Sequence, residues 1–169
     1  MNKFKKSSNS IIGYSSSKLA KSEKNDCFVR AIATATDTSY ESAHKYVKNQ
    51  FGRKKGKGVL FTSHTLESIE KDGMEIDNKT FDFRVLSKGR ITNTYKLYGE
   101  FIRRQKTVKS FIKDNPKGTY IVGVSKHAFT IKDGVLFDND GEEFRPTRKV
   151  TSVFLLKNTQ PKAVQLELF

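Results

Sequence analysis

Read for the spacing of apolar and polar positions, the chain falls into a helical first part and a strand-rich second part. The run CFVRAIATA at 27–35 is small and apolar on most faces, the pattern of a buried helix. Asn25 or Asp26 stands where a side chain can accept an orphan N–H of its first turn. After a turn at Asp37, Thr38 and Glu41 have the T-x-x-E spacing of a capping box. A second helix is then predicted to reach Phe51, with Tyr40, Ala43, Val47 and Phe51 on one stripe. The loop GRKKGKG at 52–58 is expected to be flexible, and Ser63 to start a short helix holding Leu66 and Ile69.

Further along, TFDFRVL at 80–86 alternates and reads as a strand, while 90–105 fits neither template. A short helix at 107–113 is stopped by Asn115, Pro116 and Gly118. GTYIVGV (118–124), HAFTI (127–131), VLFD (135–138) and KVTSVFLL (149–156) read as strands, with Lys132, Asp133 and Gly134 as a tight hairpin turn. Helices first and an antiparallel sheet afterwards predict an α+β fold. Residues 1–20, rich in Ser and Lys, are expected to be a flexible basic tail, 21–158 the folded domain, and 159–169 a C-terminal tail.

Composition narrows the function classes. The 169 residues suffice for one domain with a core. A mean hydropathy of −0.60 fits a soluble protein, and no apolar run is long enough to span a bilayer, so no membrane partner is expected. No apolar segment follows the basic N-terminus, so no secretory signal is read. A lone cysteine cannot form an internal disulfide, and no Cys/His cluster has zinc spacing; the expected compartment is a reducing cytoplasm. Lys and Arg number 32 against 18 acids, a net charge of +14. That field attracts polyanions and makes non-specific nucleic acid a candidate partner, although such lysines also serve plain solubility. Zinc-finger and basic-zipper patterns are absent, as is the aromatic-plus-basic signature of an RNA-recognition sheet.

The candidate chemistry centres on Cys27. A thiol is a strong nucleophile only as thiolate, and a helix N-terminus beside an imidazolium lowers its pKa. Cys27 heads the predicted helix, next to its positive end. Of the three histidines, His44 lies in an apolar stripe and His64 near a helix start, both ordinary structural positions. His127 opens a strand just after the break at Ser125 and Lys126, a common placement for catalytic groups. If Asp133 and Gly134 make a two-residue turn, Phe129 faces Asp138 and His127 faces Asp140, with both carboxylates on the imidazole's side of the sheet. Asn139 points the other way unless the loop has an odd number of residues, so Asp138, Asn139 and Asp140 all stay candidates for orienting the imidazole. Taken alone, a single intracellular cysteine is more often an inert buried residue.

The stretches NDCFVRAIATATDTSYESAHKYV and PKGTYIVGVSKHAFTIKDGVLFDND together resemble a group of small, mostly phage-encoded proteins with a papain-like fold. The resemblance implies a papain-like cysteine hydrolase, a peptidase or amidase needing no cofactor, with Cys27 as nucleophile, His127 as base and Asp138 as the orienting carboxylate. Its substrate would be a protein or peptide. Asp26, Cys27, Arg30 and Ala31 also resemble the start of ovarian-tumour-type deubiquitinases, which the histidine region does not match; Arg30 reads more simply as an ion-pair anchor of the helix. Papain-type enzymes carry an oxyanion-stabilising Gln about six residues before the cysteine; here that position is Lys21, and Asn25 is the nearest amide.

The chain ends in QLELF, which resembles the peptide by which bacterial replication proteins bind the DNA sliding clamp, with Gln165 for a polar subsite and Leu166, Leu168 and Phe169 as apolar anchors. These features together imply a hydrolase working near the replication machinery in the cytoplasm of an infected or host bacterial cell. The alternative is an inactive papain-like binding module associated with the clamp or with DNA.

Overall fold

A computed structural model describes residues 3–59, 63–87, 92–139 and 145–157. The fold is α+β, its helices falling mostly in the first half. The apolar run at Cys27 forms α2 (Cys27–Thr36) and the striped segment forms α3 (Tyr40–Phe51). The other helices are α1 (Lys18–Ser22), α4 (Ser63–Asp72) and α5 (Val108–Asp114), the last on the opposite face of the sheet. The six-stranded sheet is built from β1 (Lys3–Lys5), β4 (Phe83–Ser87), β7 (Thr119–Val124), β8 (His127–Lys132), β9 (Val135–Phe137) and β10 (Ser152–Leu156), in the order β1-β9-β8-β7-β10-β4. Two separate two-stranded sheets pair β2 (Met74–Ile76) with β3 (Lys79–Phe81), and β5 (Thr92–Leu97) with β6 (Glu100–Gln105).

The sheet is apolar on both faces. Along β7 and β8 the residues Ile121 and Ala128 join Val29, Ile32, Tyr40 and Val47 in one core beneath the helices. Their neighbours Val122, Phe129 and Ile131 join Val108, Phe111, Leu136 and Val153 in a second core on the opposite face. Alternation with period 2 therefore sends residues to two cores, which is why 118–124 reads as a nearly continuous apolar run. The buried Thr130 hydroxyl donates to the carbonyl of Ala31 at 2.6 Å and ties α2 to β8.

Several local expectations are corrected. Residues 3–20 are not a tail: they form β1, a single 3₁₀ turn at Ser7–Asn9 and the start of α1, and they bury Ser7, Ile11, Ser17 and Ala20. Composition missed this because the segment is held by backbone pairing, with β1 lying parallel to β9. The cap of α3 is Ser39, whose oxygen accepts from the N–H of Ser42 at 3.1 Å. Thr38 is turned inward to Thr36, and Glu41 accepts from Ser17 on α1. The 80–86 run is divided between two sheets at Asp82, because a turn at Asp77 and Asn78, both with positive φ, pairs β3 back onto β2. The ambiguous 90–105 segment holds the β5–β6 hairpin.

The basic 52–58 loop is anchored rather than loose. Buried Glu23 accepts from Arg53, from His44 at 2.8 Å and from the Gly56 N–H at 3.1 Å, while Arg53 also donates to the Lys24 carbonyl. Burial alone would raise the Glu23 pKa, but these donors, Arg53 foremost, bring it down to about 2. Glu23 therefore contributes stability above its unfolded value, lost only as pH falls toward about 2. Removing Arg53 leaves a buried carboxylate without its guanidinium. Arg53→Ala is expected to cost about 3–5 kcal/mol in urea unfolding at neutral pH, with most of the loss recovered in Glu23→Gln/Arg53→Met.

Candidate functional site

Cys27 is the first residue of α2, and the Thr130–Ala31 bond sets where it lies. One helical turn back from Ala31, about 6 Å, reaches Cys27. Two residues back along β8 from Thr130, about 7 Å, reaches Ala128. That brings Cys27 against Ala128 and His127, whose backbone N–H and imidazole act on its thiol. Cys27 is half-buried and packs against the core beneath the helices.

His127 opens β8 immediately after the two-residue turn of Ser125 and Lys126, the latter at a φ of 59°. Its Nε2 donates to the Asp138 carboxylate, 2.8 Å from each oxygen. That leaves Nδ1 as the nitrogen for the thiol. Across the β8–β9 hairpin Thr130 pairs with Phe137, so Asp138 stands one position past the strand, opposite Phe129 and diagonal to His127. Asp138 is thus the carboxylate that bonds the imidazole. Asn139 faces the other way, as expected, and accepts from the Ser8 N–H at 2.9 Å. Asp140 lies outside the described residues.

The N-terminal segment holds this acid in place. The Asp138 N–H donates to the Lys5 carbonyl at 3.1 Å, and the Asp138 carbonyl accepts from Ser7 at 3.3 Å. Arg148 adds a cation 3.9 Å from the Asp138 carboxylate. Neither contact was readable beforehand: both come from segments far from the Cys and His motifs, and backbone bonds leave no side-chain signature.

Electrostatics favour the charged pair. Burial pushes the Cys27 thiol up, but the hydrogen bonds from His127 and Ala128 and the charges of His127 and Arg30 outweigh it and bring the pKa below the ordinary thiol value. Burial pulls His127 down, while Asp138 and then Cys27 raise it to about 9. Both shifts act toward a thiolate beside an imidazolium. Arg30 is fixed by Asp26, one turn earlier at 3.1 Å, and Asp26 accepts a second bond from the buried Tyr40 hydroxyl at 2.6 Å. Asp26 is the N-cap by position, yet its side chain accepts no helix N–H because Arg30 and Tyr40 engage it.

The remaining candidates lie elsewhere. Asn25, at a φ of 52°, donates its side-chain amide to the Gly56 carbonyl at 2.9 Å and so anchors the basic loop. His44 belongs to the Glu23 cluster, and the His64 side chain is outside the described residues, as are Gln165, Leu166, Leu168 and Phe169. Among the described residues no group of three His, Cys, Asp or Glu side chains is placed to hold a metal ion. No described helix is long and apolar enough to cross a membrane. Comparison with protein-family models, with curated proteins and with solved structures gave no match to this chain.

Proposed function

We propose that this chain is a papain-like cysteine hydrolase, a peptidase or amidase, with Cys27 as nucleophile, His127 as acid and base, and Asp138 as the group that orients the imidazole. The observation that carries the reading is a helix-head thiol set beside an imidazole whose Nε2 donates to a buried carboxylate. The thiolate adds to the carbonyl carbon of an amide or ester, and the carbonyl π pair moves onto oxygen. The backbone N–H groups at the head of α2 are the nearest donors for that oxyanion. Collapse expels the amine as His127 gives it a proton, leaving a thioester. His127 then takes a proton from water as the water oxygen attacks, and the thiol and a carboxylic acid are released. A second reading, a papain-like scaffold that binds without turnover, is favoured by the engagement of Asn25 with Gly56, which leaves Asn25 tied to the loop.

The pH profile of alkylation by iodoacetamide, followed by mass spectrometry, tests the ion pair. Since the Cys27 pKa is lowered and that of His127 raised to about 9, wild type is expected to be alkylated rapidly at neutral pH. In His127→Ala the leading lowering group is lost while burial stays, so the onset of fast labelling should move up toward the free thiol range near pH 8.5. Identical profiles for the two proteins would remove the catalytic pair. With p-nitrophenyl acetate, a stoichiometric burst of p-nitrophenol is expected from wild type and none from Cys27→Ala. His127→Ala should slow the burst by about 10²–10⁴-fold. Labelling without a burst would favour the binding scaffold.

Deleting residues 1–8 removes the strand and turn that grip Asp138, so the deletion is expected to slow neutral-pH labelling while Cys27 remains in place. Asp138→Asn should slow it in the same direction, because the raised His127 pKa depends first on that carboxylate.

The same reading places the protein in the cytoplasm of an infected or host bacterial cell, with Gln165, Leu166, Leu168 and Phe169 docking on the sliding clamp. In calorimetric titration against a purified bacterial clamp, Leu168→Ala/Phe169→Ala is expected to abolish binding, each anchor being worth about 2 kcal/mol or more. Cys27→Ala should bind as wild type does. Absence of heat from wild type would discard the clamp as a partner.

A further inference from the structure

The β5–β6 hairpin lies outside the six-stranded sheet and forms a two-stranded ribbon, from Thr92 paired with Gln105 to Leu97 paired with Glu100. Its turn is Tyr98 and Gly99, with φ of 51° and 83°, the left-handed pair of a type I′ turn. Asn, Asp or Gly normally occupies the first of these positions, because a bulky side chain there is strained. Tyr98 is nevertheless 98% exposed, so packing does not repay that strain, and Phe101 beside it is 76% exposed. Strain retained at an exposed aromatic points to a ligand.

The charge beside these rings specifies which ligand. Arg103 and Arg104 are exposed on β6, and Glu100 is the acid at the tip. The root of the ribbon is braced: the Gln105 side chain donates to the Val150 carbonyl at 3.2 Å, and the Val150 N–H donates to Lys106 at 2.9 Å. A firmly rooted ribbon with guanidinium groups along its length and two solvent-facing rings at its tip matches a backbone of phosphates carrying uncovered bases. An acidic protein surface would satisfy the arginines but give the rings no planar partner. A duplex would satisfy the arginines while keeping its base faces stacked internally.

We propose that the β5–β6 ribbon binds single-stranded nucleic acid, with Arg103 and Arg104 on phosphates and bases stacked on Tyr98 and Phe101. The net charge of +14 supplies the long-range attraction. This site is separate from Cys27 and stands whether or not that thiol turns over substrate.

Fluorescence anisotropy tests the proposal, using labelled oligothymidylate of about twenty nucleotides over about 50–200 mM salt, with a duplex of equal length and polyglutamate as competitors. Wild type should bind the single strand at least about tenfold more tightly than the duplex or polyglutamate. Tyr98→Asn gives the turn a residue it prefers, so the hairpin persists while a ring is lost. Tyr98→Asn/Phe101→Ala should weaken binding by about tenfold or more at an unchanged salt slope. Arg103→Ala/Arg104→Ala should lower the slope of log affinity against log salt by about 1.4, which is two phosphates at about 0.7 each. Cys27 alkylation at the wild-type rate in each variant shows that the rest of the fold is intact. No binding by wild type, equal binding of duplex or polyglutamate, or wild-type affinity in the aromatic variant overturns the proposal.

Discussion

The hydroxyl of Thr130 donating to the carbonyl of Ala31 is the contact on which the candidate site depends. A wholly buried hydroxyl needs a partner, and here the partner is a helix carbonyl reached across the face of the sheet. The bond fixes the register of α2 along β8 as well as its distance. Both elements run in the same sense from their starts, so the first residue of the helix meets the first residues of the strand. A slip of one helical turn, about 5.4 Å, would carry the thiol away from both the Ala128 N–H and the imidazole.

Three further supports fix what this register brings together. The Asp26, Arg30 and Tyr40 cluster joins the head of α2 to α3 and sets a cation near the sulfur. The buried Glu23, held by Arg53, His44 and Gly56, secures the chain just before Cys27 and draws the basic loop alongside it. On the far side, β1 and the turn after it grip the backbone of Asp138. Each support uses a charged or polar group whose partner lies on another element, so the site is assembled by tertiary contacts and not by any one motif. Desolvation makes such groups costly unless paired, and the same pairing lowers the Cys27 pKa and raises that of His127.

The β5–β6 ribbon follows a different logic. Its described side chains add little to either core, and two of them expose aromatic rings. Elsewhere among the described residues the aromatics are buried or half-buried, with Tyr40, Phe83, Phe129 and Phe154 fully enclosed. A fold able to bury such residues, yet presenting Tyr98 on a strained turn, separates the work of folding from the work of contact.

The sequence by itself determined the α+β order, the bounds of α2 and α3 to within a residue or two, and the hairpin at Asp133 and Gly134, because apolar period and turn chemistry are local properties. It also marked Cys27 and His127 as candidates, since helix heads and strand starts are visible in pattern alone. Between Asp138 and Asp140 it left a choice: ladder pairing puts both on the right face, and only the diagonal reach of the imidazole selects Asp138. The N-terminal residues were misread because a polar composition conceals a strand held by backbone bonds to β9. Asn25 is the amide nearest Cys27 in sequence, but the partner of its side chain, Gly56, is distant. Tertiary structure decided these points for one physical reason: each depends on which distant backbone group or charge fills a hydrogen-bonding direction, and local pattern holds no information about that.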